Sequence, residues 1–240
     1  MELALLYSGG KDSSLAALLL AEFYDVRLVT AHFGVTDDFQ HAREAAAELG
    51  FPFETVGLDR AVADDAVDRM YEDGFPRNGI QQAHDHALEQ VADLAVDAIA
   101  DGSRRDDRVP TVSRAAAQSL EDRHGVDYIA PLSGFGRGAV DAIADGSRRD
   151  DRVPTVSRAA AQSLEDRHGI DYIAPLSGFG RGAVDDLVAA NLAVETGPSE
   201  TVPKADYEGE LRAVLAERHG KDAVDDVFPE HEQTYVHGRR

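Results

Sequence analysis

Leu3-Ala4-Leu5-Leu6-Tyr7-Ser8-Gly9-Gly10-Lys11-Asp12-Ser13-Ser14 is the stretch whose reading decides the fold. Leu3–Tyr7 is short and continuously apolar, the pattern of a parallel strand buried on both faces. Beyond the glycines, Leu15, Leu18, Leu19 and Phe23 recur at helical spacing with no Pro or Gly between them. Strand, glycine-rich turn and helix, in that order, present backbone amides to an anion at the helix N-terminus. Two adjacent glycines let the chain turn tightly without a Cβ in the way. Asp12, Ser13 and Ser14 are residue types that cap helix N-termini. The helix dipole favours negative charge there, and Lys11 adds a mobile positive charge suited to a polyphosphate.

The run Ser8-Gly9-Gly10-Lys11-Asp12-Ser13 resembles the Ser-Gly-Gly-x-Asp-Ser signature of the PP-loop ATP pyrophosphatases, of the adenine nucleotide alpha hydrolase-like superfamily. It has neither the spacing of a Walker A loop nor that of the dinucleotide fingerprint. The resemblance implies a Rossmann-like α/β fold of the HUP type, a twisted parallel sheet of about five strands with helices on both faces. It implies cleavage of ATP between the α and β phosphates, with AMP passed to a substrate oxygen and pyrophosphate leaving. On that pattern Ser8, Gly9, Gly10, Lys11, Asp12, Ser13 and Ser14 hold the nucleotide. Lys11 and Asp12 act in catalysis, and Asp12 is one of the carboxylates that position Mg²⁺.

Further along, Val26–Phe33 is a second β-rich run, and Asp37-Asp38 caps a helix that Gly50 closes after Leu49. Phe51–Leu58 reads as a third strand, and helical stretches follow over 61–71 and 80–94. Strands alternating with helices require right-handed crossovers and a covered parallel sheet. Ligands of such sheets bind beyond the carboxyl ends of the strands, where Ser8 and His32 both fall. His32-Phe33 is open to two readings, a nucleotide contact at a purine ring or a solvated strand-end His beside a core Phe. His84 and His86 lie about 200° apart on a helix, so they do not grip one ion together. His84, with Asn78 and Gln81 or Gln82, either lines a substrate mouth or belongs to a solvated helix start.

From Ala95 to Gly138 the sequence recurs from Ala139 at an offset of 44 residues, with one difference, Val126 against Ile170. Two near-identical copies do not make a solenoid, which needs at least three repeats. Ala-Val-Asp occurs at Ala95, Ala139 and Ala183, so removing either copy leaves a continuous chain. This is a tandem 44-residue duplication within a parent of 196 residues. Each copy holds a strand, a polar loop, a helix and a second strand. The parent path is read as using the start of copy one and the end of copy two, with either copy open to completing the sheet and the spare adding to the sheet edge, looping out or exchanging with a second chain in a homodimer.

Within the copies, Gly102 with Asp106 and Asp107 (or Gly146 with Asp150 and Asp151) looks like the family's second loop. Its glycine would face the nucleotide and its carboxylates would hold Mg²⁺. Arg181, or Arg137, follows a Pro-Leu pair, and the resemblance makes it a catalytic residue that neutralises phosphate charge. The competing reading of Arg104-Arg105-Asp106-Asp107-Arg108 is a self-paired surface loop. The chain therefore divides into a nucleotide-binding domain, 1–192, and a C-terminal helix and polar tail, 193–240, joined through Gly197-Pro198-Ser199.

The formal net charge of -21 comes from 45 Asp and Glu against 24 Lys and Arg. So acidic a surface suits strong salt, where screening removes self-repulsion. Absence of cysteine excludes disulfides, thiolate nucleophiles and a persulfide carrier within this chain. No leader and no long apolar run is present, which predicts a cytoplasmic protein without a membrane partner. The expected function is adenylation of a substrate, tRNA or a small acid. The alternatives are an amide-forming synthetase using ammonia and a non-catalytic nucleotide-binding subunit.

Overall fold

The computed structural model describes residues 1–104, 107–133, 192–198, 205–228 and 232–239. The apolar run near the N-terminus is β1 (Glu2–Leu6), followed by α1 (Lys11–Leu20), β2 (Asp25–His32), α2 (Phe39–Leu49) and β3 (Phe53–Gly57). Then come α3 (Arg60–Asp73), α4 (Arg77–Ala92), β4 (Ala98–Ala100), α5 (Arg114–His124) and β5 (Asp127–Ile129). The C-terminal part supplies β6 (Leu192–Pro198), α6 (Tyr207–His219), α7 (Lys221–Val227) and β7 (Glu232–Arg239).

The first five strands form one parallel sheet in the order β3-β2-β1-β4-β5. The α/β expectation holds. Strand period sorts β1 between two layers: Leu3, Leu5 and Tyr7 face α1 and α2, while Ala4 faces α4 and α5. Helices thus cover both faces. Their buried stripes are narrow and rich in alanine, as in Ala42, Ala45, Ala46 and Leu49 of α2, at helical spacing. Helix α1 is buried along almost its whole length, from Ser13 to Leu20. It stops there, so Phe23 leaves the apolar stripe expected for it and is 60% exposed. Asp38 precedes α2 without capping it, because its carboxylate accepts the Thr36 hydroxyl instead (2.7 Å).

Both β4 and β5 belong to copy one of the duplication. The path expected through the end of copy two is corrected for this strand. Only Gly125 and Val126 separate α5 from β5, and Val126 packs with Leu120 of α5, so the nearest strand in sequence closes the sheet. Copy two lies outside the described residues.

Gly197-Pro198, read as a linker, ends a strand instead. β6 and β7 pair antiparallel from Leu192↔Arg239 to Pro198↔Glu232, with a bulge at Ala193/Val194. Leu192 and Val236 are buried among Leu3, Leu5, Tyr7 and the alanines of α1 and α2. The stretch read as a polar tail is therefore in part a core strand. Helix α6 buries Leu211, Val214 and Leu215 against α3 on the opposite face.

Candidate functional site

The chain runs from β1 outward to β2 and β3, then crosses back to β4 on the other side of β1. The carboxyl ends of β1 and β4 thus flank the switch point of the sheet, where open α/β sheets take their ligands. The loop after β1 begins with Tyr7, whose hydroxyl meets Ser14 Oγ (3.0 Å) and whose carbonyl accepts the Thr30 hydroxyl (2.7 Å). Burial pushes the Tyr7 phenol up to about 12, against a lowering hydrogen bond with Ser14, so it serves as a neutral strut. Gly9 has φ +77, which favours glycine, and a Cβ there would lie 3.2 Å from Ala42 Cα of α2, a tight approach.

Helix α1 starts at Lys11 with Gly10 in the N-cap position and no side-chain cap. Asp12, Ser13 and Ser14, expected as caps, sit inside the first turn. The reason is that Ser14 N already bonds Gly10 O (3.0 Å), which begins the helix before them. Ser13 Oγ turns back to Gly10 O (3.2 Å) and lies 3.3 Å from Ser8 Oγ, folding the loop upon itself. An uncapped first turn with a positive dipole end suits an anion.

The loop after β4 meets this helix start directly. A Cβ on Gly102 would lie 3.0 Å from Ser13 N and 3.1 Å from Ser13 Cα. Gly102 therefore lies against the turn that opens α1. The turn is set from beneath by Asp101. That buried carboxylate accepts from Ser103 N (2.9 Å) and Tyr128 OH (3.0 Å) and meets His84 Nε2 (2.9 Å). Burial pushes the Asp101 carboxyl up, but the hydrogen bond and charge of His84, with the Ser103 amide, outweigh it and leave the group below its ordinary value. Burial and then the Asp101 charge hold the Tyr128 phenol far above its usual range, so it remains a donor. His84 is not at a solvated helix start: it is 4% exposed and edge-on to the buried Tyr207 of α6.

Arg104 then folds over Asp12. Its guanidinium reaches Asp12 Oδ2 (3.0 Å) and Asp107 Oδ1 (2.7 Å from Nη2), and its amide donates to Asp107 Oδ2 (2.7 Å). Lys11 Nζ takes Asp12 Oδ1 (3.0 Å). The two described carboxylates expected to hold Mg²⁺ thus have all four oxygens committed to cationic or amide donors. That donor set does not fit a hard divalent ion, which needs near-octahedral oxygen ligands at about 2.0–2.1 Å. No cluster of three ligating side chains occurs among the described residues. Asp106 and Arg181 lie outside the described residues.

At the end of β2, His32 stacks on Phe39 (4.9 Å between centroids, 20°). Its Nδ1 is buried without a hydrogen-bond partner among the described residues and lies 4.0 Å from where a Cβ on Gly34 would stand. The Phe33 ring belongs to the core with Leu58, Val67 and Leu211, so its side chain is not brought to the loop. Its amide donates to Glu210 Oε2 (2.7 Å), while Val35 N donates to Oε1 (2.9 Å). Sequence reading missed Glu210, Asp101 and Arg104. The first two leave a signal, a polar residue on or beside an otherwise apolar stripe.

The C-terminal segment closes the loop from outside: Ala205 N donates to Ser8 O and Val236 N to Gly9 O, both at 3.0 Å. Among the described residues no helix is long and apolar enough to cross a membrane.

Comparison with known proteins agrees with this architecture over the full length. A crystal structure described as a predicted subunit of tRNA methyltransferase from Methanocaldococcus jannaschii is similar with a TM-score of 0.73 and 33% identity, covering 100% of this chain and 98% of that one. The uncharacterized protein MJ0690 of Methanocaldococcus jannaschii is 35% identical over 239 residues, 99% of this chain and 96% of that protein. The model described as Family of unknown function (DUF7411) matches residues 1–143 and 138–238, and its two matches overlap at the junction of the duplicated copies. Two matches that together run nearly the length of the sheet and the C-terminal ribbon place this chain in the DUF7411 family.

Proposed function

We propose that this protein binds ATP in the Ser8–Ser14 loop and cleaves it between the α and β phosphates to adenylate a substrate in tRNA modification. The observation that carries this reading is the Ser-Gly-Gly-Lys-Asp-Ser loop, which joins β1 to an uncapped helix at the switch point of the sheet. It resembles the PP-loop signature in sequence, and Gly9 and Gly102 supply the close backbone approaches that such a cradle needs. In the reaction a substrate oxygen attacks the α-phosphorus. The bond from that phosphorus to the β-phosphate oxygen breaks, and pyrophosphate departs with the electron pair. The first-turn amides of α1 would hold the departing phosphates, and Lys11 would offset their growing charge. His32, at the end of β2 with a buried Nδ1 that has no hydrogen-bond partner among the described residues, would contact the base.

The tRNA part rests on the similar structure described as a predicted tRNA methyltransferase subunit. That same description favours a second reading, a nucleotide-binding subunit without turnover of its own. Exchange of labelled pyrophosphate into ATP, in strong KCl with and without total tRNA, separates them. Exchange that requires tRNA and disappears in Lys11→Ala is the expected result. ATP binding without exchange on any substrate supports the subunit reading, and absence of ATP binding refutes both.

A further inference from the structure

We propose that Arg104 is the resident cation of this site, occupying the position between Asp12 and Asp107 that a divalent ion would otherwise take. Three features hold it there. First, the 101–104 turn is folded over the buried Asp101, which accepts Ser103 N and is itself held by His84 and Tyr128. Second, Gly102 packs against the backbone of Ser13, which fixes where residue 104 begins relative to Asp12. Third, the Arg104 side chain is only 9% exposed and spans both carboxylates, reaching Asp12 at 3.0 Å and Asp107 through Nε (3.1 Å) and Nη2 (2.7 Å).

Charge counting leads to the same place. Asp12 and Asp107 carry two negative charges, Lys11 and Arg104 two positive, and their contacts run in series from Lys11 to Asp12 to Arg104 to Asp107. Among these four described side chains a divalent ion would meet no net negative charge, and it would strand a largely desolvated guanidinium, a costly rearrangement. A polyphosphate engages Arg104 by exchanging with these carboxylates, for which a planar guanidinium has suitable bidentate donors. Arg104 thus holds the two carboxylates together and presents positive charge beside the first turn of α1. This second role rests on the nucleotide reading above; the metal-excluding role does not.

The test uses the full-length protein, treated with EDTA and then titrated with Mn²⁺ while free ion is followed by electron paramagnetic resonance. Titrations are compared with Asp12→Asn so that ions condensed on the acidic surface cancel. The expected result is no difference between wild type and Asp12→Asn. In Arg104→Gln an ion site should appear that the second change Asp12→Asn removes. Its affinity should be about tenfold or more above any residual wild-type uptake, since a unit positive charge about 4 Å away has been withdrawn. A wild-type site that Asp12→Asn or Asp107→Asn abolishes would overturn the proposal, as would an Arg104→Gln protein that gains no ion. The wild-type titration decides even if Arg104→Gln does not fold. No nucleotide is present, so a failure of ATP to bind would refute the functional reading and leave this result standing.

Discussion

Asp101→Asn is the substitution from which the structure allows the most to be calculated. Oδ2 of this carboxylate meets both His84 Nε2 (2.9 Å) and Tyr128 OH (3.0 Å), and Oδ1 accepts Ser103 N (2.9 Å). An amide of the same shape keeps one acceptor. In its better orientation it faces His84 and Tyr128 with oxygen and strands the Ser103 amide against its own NH₂, at about 1–3 kcal/mol for an unsatisfied buried group. The two surviving bonds become neutral ones, each weaker by roughly 1 kcal/mol. The sum, about 3–5 kcal/mol, matches the usual cost of breaking a buried pair from one side. Because the Asp101 carboxyl lies below its ordinary value in the folded protein, the unfolded chain takes up its proton first on acidification. Its stabilisation is therefore fully present above the ordinary carboxylate value of about 3.9 and is lost as pH falls through the lower folded value. Urea unfolding at fixed KCl, at neutral pH and through the acid range, should show a wild-type advantage of that size that shrinks only below about pH 4. A cost under about 1 kcal/mol, or a difference between the two proteins that does not change with acid, would refute the account of a buried charge organising this turn.

Gly102→Ala places a Cβ 3.0 Å from Ser13 N, so the turn must retreat from α1. Pyrophosphate exchange should fall at least about tenfold, because displacements of 1 Å at a reacting centre cost that much or more, while unchanged exchange would show the two loops to be independent. Glu210→Ala removes the acceptor of the Phe33 and Val35 amides and should cost about 2–5 kcal/mol in urea, with faster hydrogen exchange at those two amides. Glu210→Gln should recover part of the loss, and unchanged exchange at both amides would contradict the argument. Deleting residues 139–182 joins Gly138 to Ala183 within the same Ala-Val-Asp sequence and keeps β4 and β5. The shortened chain should melt within a few degrees of the parent. Deleting 95–138 instead should give a curve within several degrees of that one, since the products differ only by Ile170 in place of the buried Val126, one added methylene worth at most about 1–3 kcal/mol.

The parts of this protein that could be read from sequence are those whose causes are local. Six residues around Gly9-Gly10 suffice for the turn because the φ of Gly9 and the helix that follows depend on near neighbours. The alanine stripes of α2 and α3 carry their own period. What escaped reading depends on distant partners. β7 is polar in sequence and becomes a strand only by pairing with β6, about forty residues earlier, whose Gly197-Pro198 is the usual sign of a turn. Arg104 stands in a run of alternating charges that reads as a solvated loop, and only the approach of Gly102 to Ser13 brings it onto Asp12. Glu210 and His84 also escaped, although their neighbours in sequence carried a signal. Glu210 lies among Tyr207, Leu211, Val214 and Leu215, and His84 among Ala83, Ala87, Leu88 and Val91. A polar residue in such a stripe must find buried partners or expel the stripe from the core.

The same dependence on distant partners reaches the loop itself. A trans peptide carries its C=O and the following N–H on opposite sides. The carbonyls of Ser8 and Gly9 are held by the amides of Ala205 and Val236, so the amides of Gly9 and Gly10 must face away from the C-terminal segment, the Gly10 amide toward Ser8 Oγ. A loop that is to receive an anion needs this polarity, because a carbonyl rotated inward would repel the ligand. Without those two outer bonds the glycines could flip their peptides at little steric cost, since Gly9 already occupies a region in which glycine moves freely. Residues near the C-terminus thus supply what a Gly-Gly turn lacks, a reason to keep one orientation. Any free energy with which Ala205 and the β7 residue Val236 hold these carbonyls would become part of the affinity of the loop for the nucleotide proposed above. By the same linkage, a ligand seated on the loop must steady the far end of the chain.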